Sequence, residues 1–165
     1  MKLNNFFKLV IAIAVSELAG IIGSFFTISA IPTWYAGLVK PALNPPAWVF
    51  GPAWTTLYAL MGISLFLVWK QHSNILENVR MLRTWRIGVA AFFVQLFLNT
   101  IWSIIFFGLQ SPGWALVDIV LLWLAIVWTI AVFYKISKPA AYLLVPHLLW
   151  VSFALYLNYS ILVLN

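Results

Sequence analysis

Glu17 and Asp118 are the two acids that fall inside long apolar runs of this 165-residue chain. An ionisable side chain at membrane depth is expensive enough to require a reason. Glu17 precedes Gly20 and Gly23, small residues on a helical face that lets another backbone approach. It reads as a buried or water-facing structural acid or as a proton or ligand site, the structural reading being the heavier. Asp118 stands one turn from Trp114, so both can face one interior, where the acid either holds a polar network or lines a cavity. Gln95, Asn99 and Trp102 follow at steps of four and three, which makes one stripe on a helix. That stripe suits interhelical hydrogen bonding as well as a cavity wall. His147, Trp150, Ala154 and Asn158 fall at steps of three, four and four, with small Ala154 leaving room between bulkier neighbours. His147 could serve as an axial haem ligand, although a lone bundle histidine more often serves as a hydrogen-bonding group.

Ten tryptophans are the second chemical signal. Trp34, Trp69 and Trp85 fall at expected interfaces, where an aromatic belt accounts for them. Trp123 and Trp128 can face lipid. Trp54 and Trp150 share their faces with small or polar residues, which suits a flat aromatic ligand held between indoles. No metal-ligand cluster, nucleotide loop, catalytic triad or carboxylate pair is present, and no metal is expected. The absence of cysteine excludes disulfides and thiolate chemistry.

These side chains must be positioned by membrane helices. Hydrophobic residues make up 65% of the chain and charged residues only 7%, against about 25% charged in soluble domains. A helix needs about 20 apolar residues to cross a bilayer. Five segments satisfy that, at residues 9–30, 47–69, 86–108, 113–134 and 139–164. The expected fold is all-α: one domain over residues 1–165, an integral membrane bundle of five transmembrane helices. Short connections imply antiparallel neighbours. A structured loop between the first two helices carries Trp34, Lys40, Pro41, Pro45 and Pro46, too rich in rigid and aromatic residues for a mere connector, and reads as the mouth of a pocket.

Lys2, Lys8, Lys70, Arg80, Arg83, Arg86, Lys135 and Lys138 gather on the side of the N-terminus, and only Lys40 falls opposite. The positive-inside rule then predicts a cytoplasmic N-terminus and an external C-terminus, with the proline-rich loop on the outer face. The net charge of +6 is a topology signal and a contact for anionic lipid, and no nucleic-acid partner is expected.

At these residues the chain resembles the TspO/MBR family, the tryptophan-rich sensory and translocator proteins. The matching motifs run in order. They are Trp34-Tyr-Ala-Gly-Leu-Val-Lys-Pro41, Asn44-Pro-Pro-Ala-Trp-Val-Phe-Gly-Pro-Ala-Trp-Thr-Thr-Leu-Tyr58, Asn99 with Trp102, Ile105-Phe-Phe-Gly108, Gly113-Trp-Ala-Leu-Val-Asp118, Val145-Pro146, Trp150, Phe153-Ala154 and Leu157-Asn158. The resemblance implies a membrane receptor or sensor, commonly a homodimer, with a cavity capped by the first loop. Its ligands would be porphyrin-type tetrapyrroles, protoporphyrin IX and haem, and other hydrophobic molecules, with no required cofactor. The implied lining is Phe50, Trp54, Tyr58, Asn99, Trp102, Trp114, Leu116, Asp118, Trp150, Ala154 and Leu157. Light-dependent porphyrin degradation, which the resemblance would assign to Trp54 and Trp150, is the alternative; transport of tetrapyrroles or lipids is another. Two departures stand out. Pro41-Ala-Leu43 replaces the family's usual Pro-Ser-Trp, so the loop lacks an indole. No Lys or Arg follows Tyr159, so the sterol pattern of animal members is broken. The short C-terminus and the basic N-terminal side point to a prokaryotic plasma or inner membrane.

Overall fold

The computed structural model describes residues 4–165; Lys2, one of the residues used for topology, lies outside them. Five helical spans are long and apolar enough to cross a membrane: Asn5–Ala30, Ala47–Asn74, Val79–Gly108, Pro112–Ile136 and Lys138–Leu164. Each contains one expected segment. The largest difference is in the third, which starts at residue 79 instead of 86. There Asn78 caps the helix by accepting a hydrogen bond from the Met81 amide at 3.0 Å, and Arg80 and Arg83 continue it as good helix formers outside the apolar window.

In chain order the helices are α1 (Asn5–Ala30), a single turn α2 (Trp34–Gly37), α3 (Ala47–Gln71), α4 (Val79–Ser103), α5 (Pro112–Ile136), α6 (Lys138–Leu143) and α7 (Val145–Leu164). Prolines sit in the first turns of α5, α6 and α7, where a missing N–H forfeits no helical hydrogen bond. The fifth span is therefore two helices broken at Leu144, which was not legible as a break because its hydropathy is continuous. The third span ends in a π turn over Ile104–Gly108, closed by a Leu109 N–H to Ile104 carbonyl bond of 2.8 Å.

The spans form a ring in which α1 packs between α3 and α4, α5 between α4 and the fifth span, and α3 closes onto α6. Lipid offers apolar side chains the same surroundings as the bundle interior, so close packing and polar contacts must hold the helices together. Both are visible. A Cβ on Gly62 would lie 2.5 Å from Ile13 Cα and 3.0 Å from the Ala12 carbonyl, so α1 and α3 touch backbone to backbone there. Phe92 and Phe133 stack across α4 and α5 with centroids 6.0 Å apart. Ser64 donates to the Ala140 carbonyl at 2.7 Å, joining α3 to α6, and Trp85 donates to the Val68 carbonyl at 2.9 Å, joining α4 to α3.

Gly20 and Gly23, expected to offer a face to another helix, do so inside this chain, and Gly88 is engaged in the same way. A side chain on Gly20 would collide with the Tyr58 ring, one on Gly23 would meet Ser103, and one on Gly88 would meet Val132 and Phe133. Ala91 is likewise buried.

Candidate functional site

The ring closes tightly at only one end. Beside the 70–80 connection, α3 packs on α6, whereas toward the proline-rich loop α3 makes only thin contact with α7. The space left there is a cavity of about 440 Å³, lined from the second half of α1, the first half of α3, the end of α4 with its π turn, and most of α7. Ligand pockets commonly measure about 300–1,000 Å³.

Small residues make the room. Gly20, Gly23, Ser24, Gly51, Ser103 and Ala154 all line it, so much of its wall is built from small side chains. Aromatic rings then shape it. Trp54 and Trp150 meet edge to face with centroids 6.4 Å apart, Phe50 stands 6.2 Å from Trp150, and Trp54 lies 5.7 Å from Tyr58. On the facing side Trp102 stacks on Phe106 at 5.1 Å. Its indole is fixed by donation to Asn158 Oδ1 at 3.0 Å, and the Asn158 amide donates to the Pro112 carbonyl at 2.8 Å. A rigid, mostly apolar slot with few polar groups results, suited to a flat hydrophobic molecule.

Seven of the expected lining residues meet in this cavity: Phe50, Trp54, Tyr58, Trp102, Trp150, Ala154 and Leu157. Four do not line it. Trp114, Leu116 and Asp118 belong to α5, which contributes no lining residue because it packs behind α4 and α7. Trp114, in the first turn of α5, is exposed, whereas Asp118 one turn on is buried; the helical repeat aligns them, but the helix end lifts Trp114 clear of the packing. Asn99 is buried one layer deeper, its amide 3.3 Å from His147 Nε2. His147 is wholly buried and presents its ring to the edge of Trp54 at 6.2 Å. It stands behind the cavity wall and is not among the residues that line the cavity. Gln95, also fully buried, completes this inner polar layer without a hydrogen-bond partner among the described residues.

The loop does approach the cavity, through a residue that was not singled out. Tyr35 lines it, donating its hydroxyl to Asn44 Oδ1 at 2.7 Å. Burial raises the phenol above its usual range, partly offset by that bond, so Tyr35 stays a neutral donor. Lys40 folds back onto the loop instead, bonding the Ala36 and Leu38 carbonyls at 3.2 Å and lying 4.9 Å over the Tyr35 ring. Trp34 packs edge-on to Phe106 at 5.5 Å. Pro41, Pro45 and Pro46 shape the loop without lining the cavity. Asn165 ties the loop down, accepting from the Val39 amide at 3.0 Å and donating to its carbonyl at 3.1 Å. Trp123, which can face lipid, also donates to Ser152 at 2.9 Å, joining α5 to α7.

Phe106, Phe107 and Glu17 also line the cavity. The phenylalanines belong to the Ile105-Phe-Phe-Gly108 motif, and the π turn that carries them is not signalled by hydropathy. Glu17 was legible through its cost in a membrane, and its position on the Gly20 face follows from helical spacing.

The sequence model of the TspO/MBR family matches residues 12–164. The chain is 47% identical to the tryptophan-rich protein TspO of Archaeoglobus fulgidus, over 98% of this chain and 99% of that one. It is 47% identical to the protein of the same name from Chlorobaculum tepidum, over 95% of each. It is 41% identical to the human translocator protein, over 85% of this chain and 79% of that one.

Proposed function

This chain belongs to the TspO/MBR family, and on that premise we propose that it is a receptor for porphyrin-type tetrapyrroles. It is a multi-pass integral membrane protein, and its family supports a membrane sensor or receptor role. The observation that carries the ligand class is the aromatic slot, in which Trp54 and Trp150 stand edge to face beside Phe50, Tyr58 and Trp102. A planar macrocycle would stack on these rings, and its peripheral carboxylates would remain toward the loop and water. Titration of protoporphyrin IX into the purified protein in nanodiscs should shift the porphyrin absorption and saturate near one ligand per chain. A non-saturating response equal to that of empty nanodiscs removes the reading.

Light-dependent degradation is a second reading, favoured by two oxidisable indoles facing the same space. Several defined product molecules per protein under illumination would support an enzyme. A single stoichiometric burst accompanied by tryptophan loss would leave binding alone.

We propose further that the loop faces outward from a prokaryotic inner membrane and that the protein forms a homodimer. The charge asymmetry supports the first, and the resemblance supports the second. Because Gly20, Gly23 and Gly88 are engaged within the chain, the dimer face would be built from larger exposed side chains; cross-linking in membranes should trap a dimer, and only monomer would refute it. The chain lacks cysteine, so Ala42→Cys should react in intact cells with an impermeant maleimide while Arg83→Cys does not. The opposite labelling would invert the topology.

A further inference from the structure

Among the described residues Glu17 is the one charged side chain that lines the cavity, and it lies toward the middle of α1. It has no hydrogen-bond or ion-pair partner among the described residues. Lys8, on the same helix, is nine residues away, about 14 Å of helical rise. Lys40 is engaged by its own loop. Among the described residues no cation reaches this carboxylate. An intramembrane acid without a partner is a functional feature by default.

A second observation gives the site its chemistry. Gly20, one turn from Glu17, has no side chain, and the Tyr58 ring occupies the space where one would stand. Tyr58 continues into Trp54 at 5.7 Å with an interplanar angle of 31°, and Trp54 into Trp150 at 6.4 Å. A carboxylate at one end of an aromatic wall is an arrangement that recognises ammonium groups, through charge and through the negative faces of the rings.

We propose that Glu17 makes the deep end of the cavity a cation-accepting subsite. It takes an apolar aromatic amine, with the ammonium at Glu17 and the ring against Trp54 and Trp150. The inference uses the cavity of the tetrapyrrole reading without requiring that ligand. For an anionic ligand Glu17 has the opposite effect and turns carboxylates toward the loop.

The test uses the full chain in nanodiscs with three probes of one shape: 2-naphthylmethylammonium, neutral 2-naphthylmethanol and anionic 2-naphthoate. Calorimetric titration, corrected for empty nanodiscs, should give at least a tenfold preference for the ammonium over the alcohol. Glu17→Gln should abolish that preference, Glu17→Asp should keep most of it, and alcohol binding should change less than about twofold. Equal affinity for ammonium and alcohol in the unaltered protein overturns the proposal. So does a preference that survives Glu17→Gln, or a parallel loss of both probes. Protoporphyrin IX measured alongside separates the two readings. If it fails to bind while the ammonium preference persists, only the tetrapyrrole reading falls; the converse removes only this one.

Discussion

Asn158 shows how one side chain links the cavity wall to the bundle. Its oxygen holds the Trp102 indole and its amide holds the Pro112 carbonyl, and it is almost wholly buried. Replacement by leucine keeps the size but leaves both partners unpaired. Interhelical hydrogen bonds of this kind are worth about 1–2 kcal/mol in model systems, so Asn158→Leu should lower the thermal unfolding midpoint in detergent. An unchanged midpoint would mean that both partners find other bonds. Much at this scale was legible. The step of three, four and four placed Trp150, Ala154 and Asn158 on one face, and the structure keeps them together at the cavity. Asn99 and His147 were not legible as a pair, because helical spacing gives direction but not depth. Their contact at 3.3 Å behind Trp54 depends on how far α7 lies from α4.

Among the elements, α1 and α3 depend most on a single position. Gly62 lets their backbones meet, and the atoms a methyl group would strike belong to the Ile13 and Ala12 backbone, which cannot rotate away. Gly62→Ala should separate the two helices and destabilise the protein by about 1–3 kcal/mol, the usual range for overpacking. Thermal unfolding in detergent reads the effect, and full retention of stability would show that the crossing can slide. Gly20→Ala is a different case, since the atoms a methyl group would strike belong to the Tyr58 ring, a side chain that lines the cavity. The five spans were readable because apolar length and the Lys/Arg, Pro and Gly breaks set them almost alone. The π turn at Ile104–Gly108 and the break at Leu144 were not, since neither changes hydropathy. The π turn matters, because it swings Phe106 and Phe107 to the cavity. The exclusion of α5 also escaped the sequence: Trp114 and Asp118 share a helical face, yet that helix is packed behind its neighbours.

In the whole molecule, one end of the ring is closed by α3 on α6 and the other is left open beneath the loop. The tightest helix closure and the cavity thereby lie toward opposite ends. The largest fully buried side chains include Phe92, Phe133 and Met61 in the cluster that contains α6, while Trp54, Trp102 and Trp150 surround the open space. Substitutions in the open half should therefore alter binding with less effect on unfolding than substitutions in the closed half. The most direct measurement is the protoporphyrin IX titration repeated on Trp54→Phe combined with Trp150→Phe, followed by porphyrin absorption so that the lost indoles do not affect the signal. Aromatic contacts of this kind are worth about 0.5–1.5 kcal/mol each, so the combined change should weaken binding about tenfold while the unfolding midpoint stays close to that of the unaltered protein. Saturable binding of undiminished affinity in the double variant would contradict the assignment of the tetrapyrrole to this cavity.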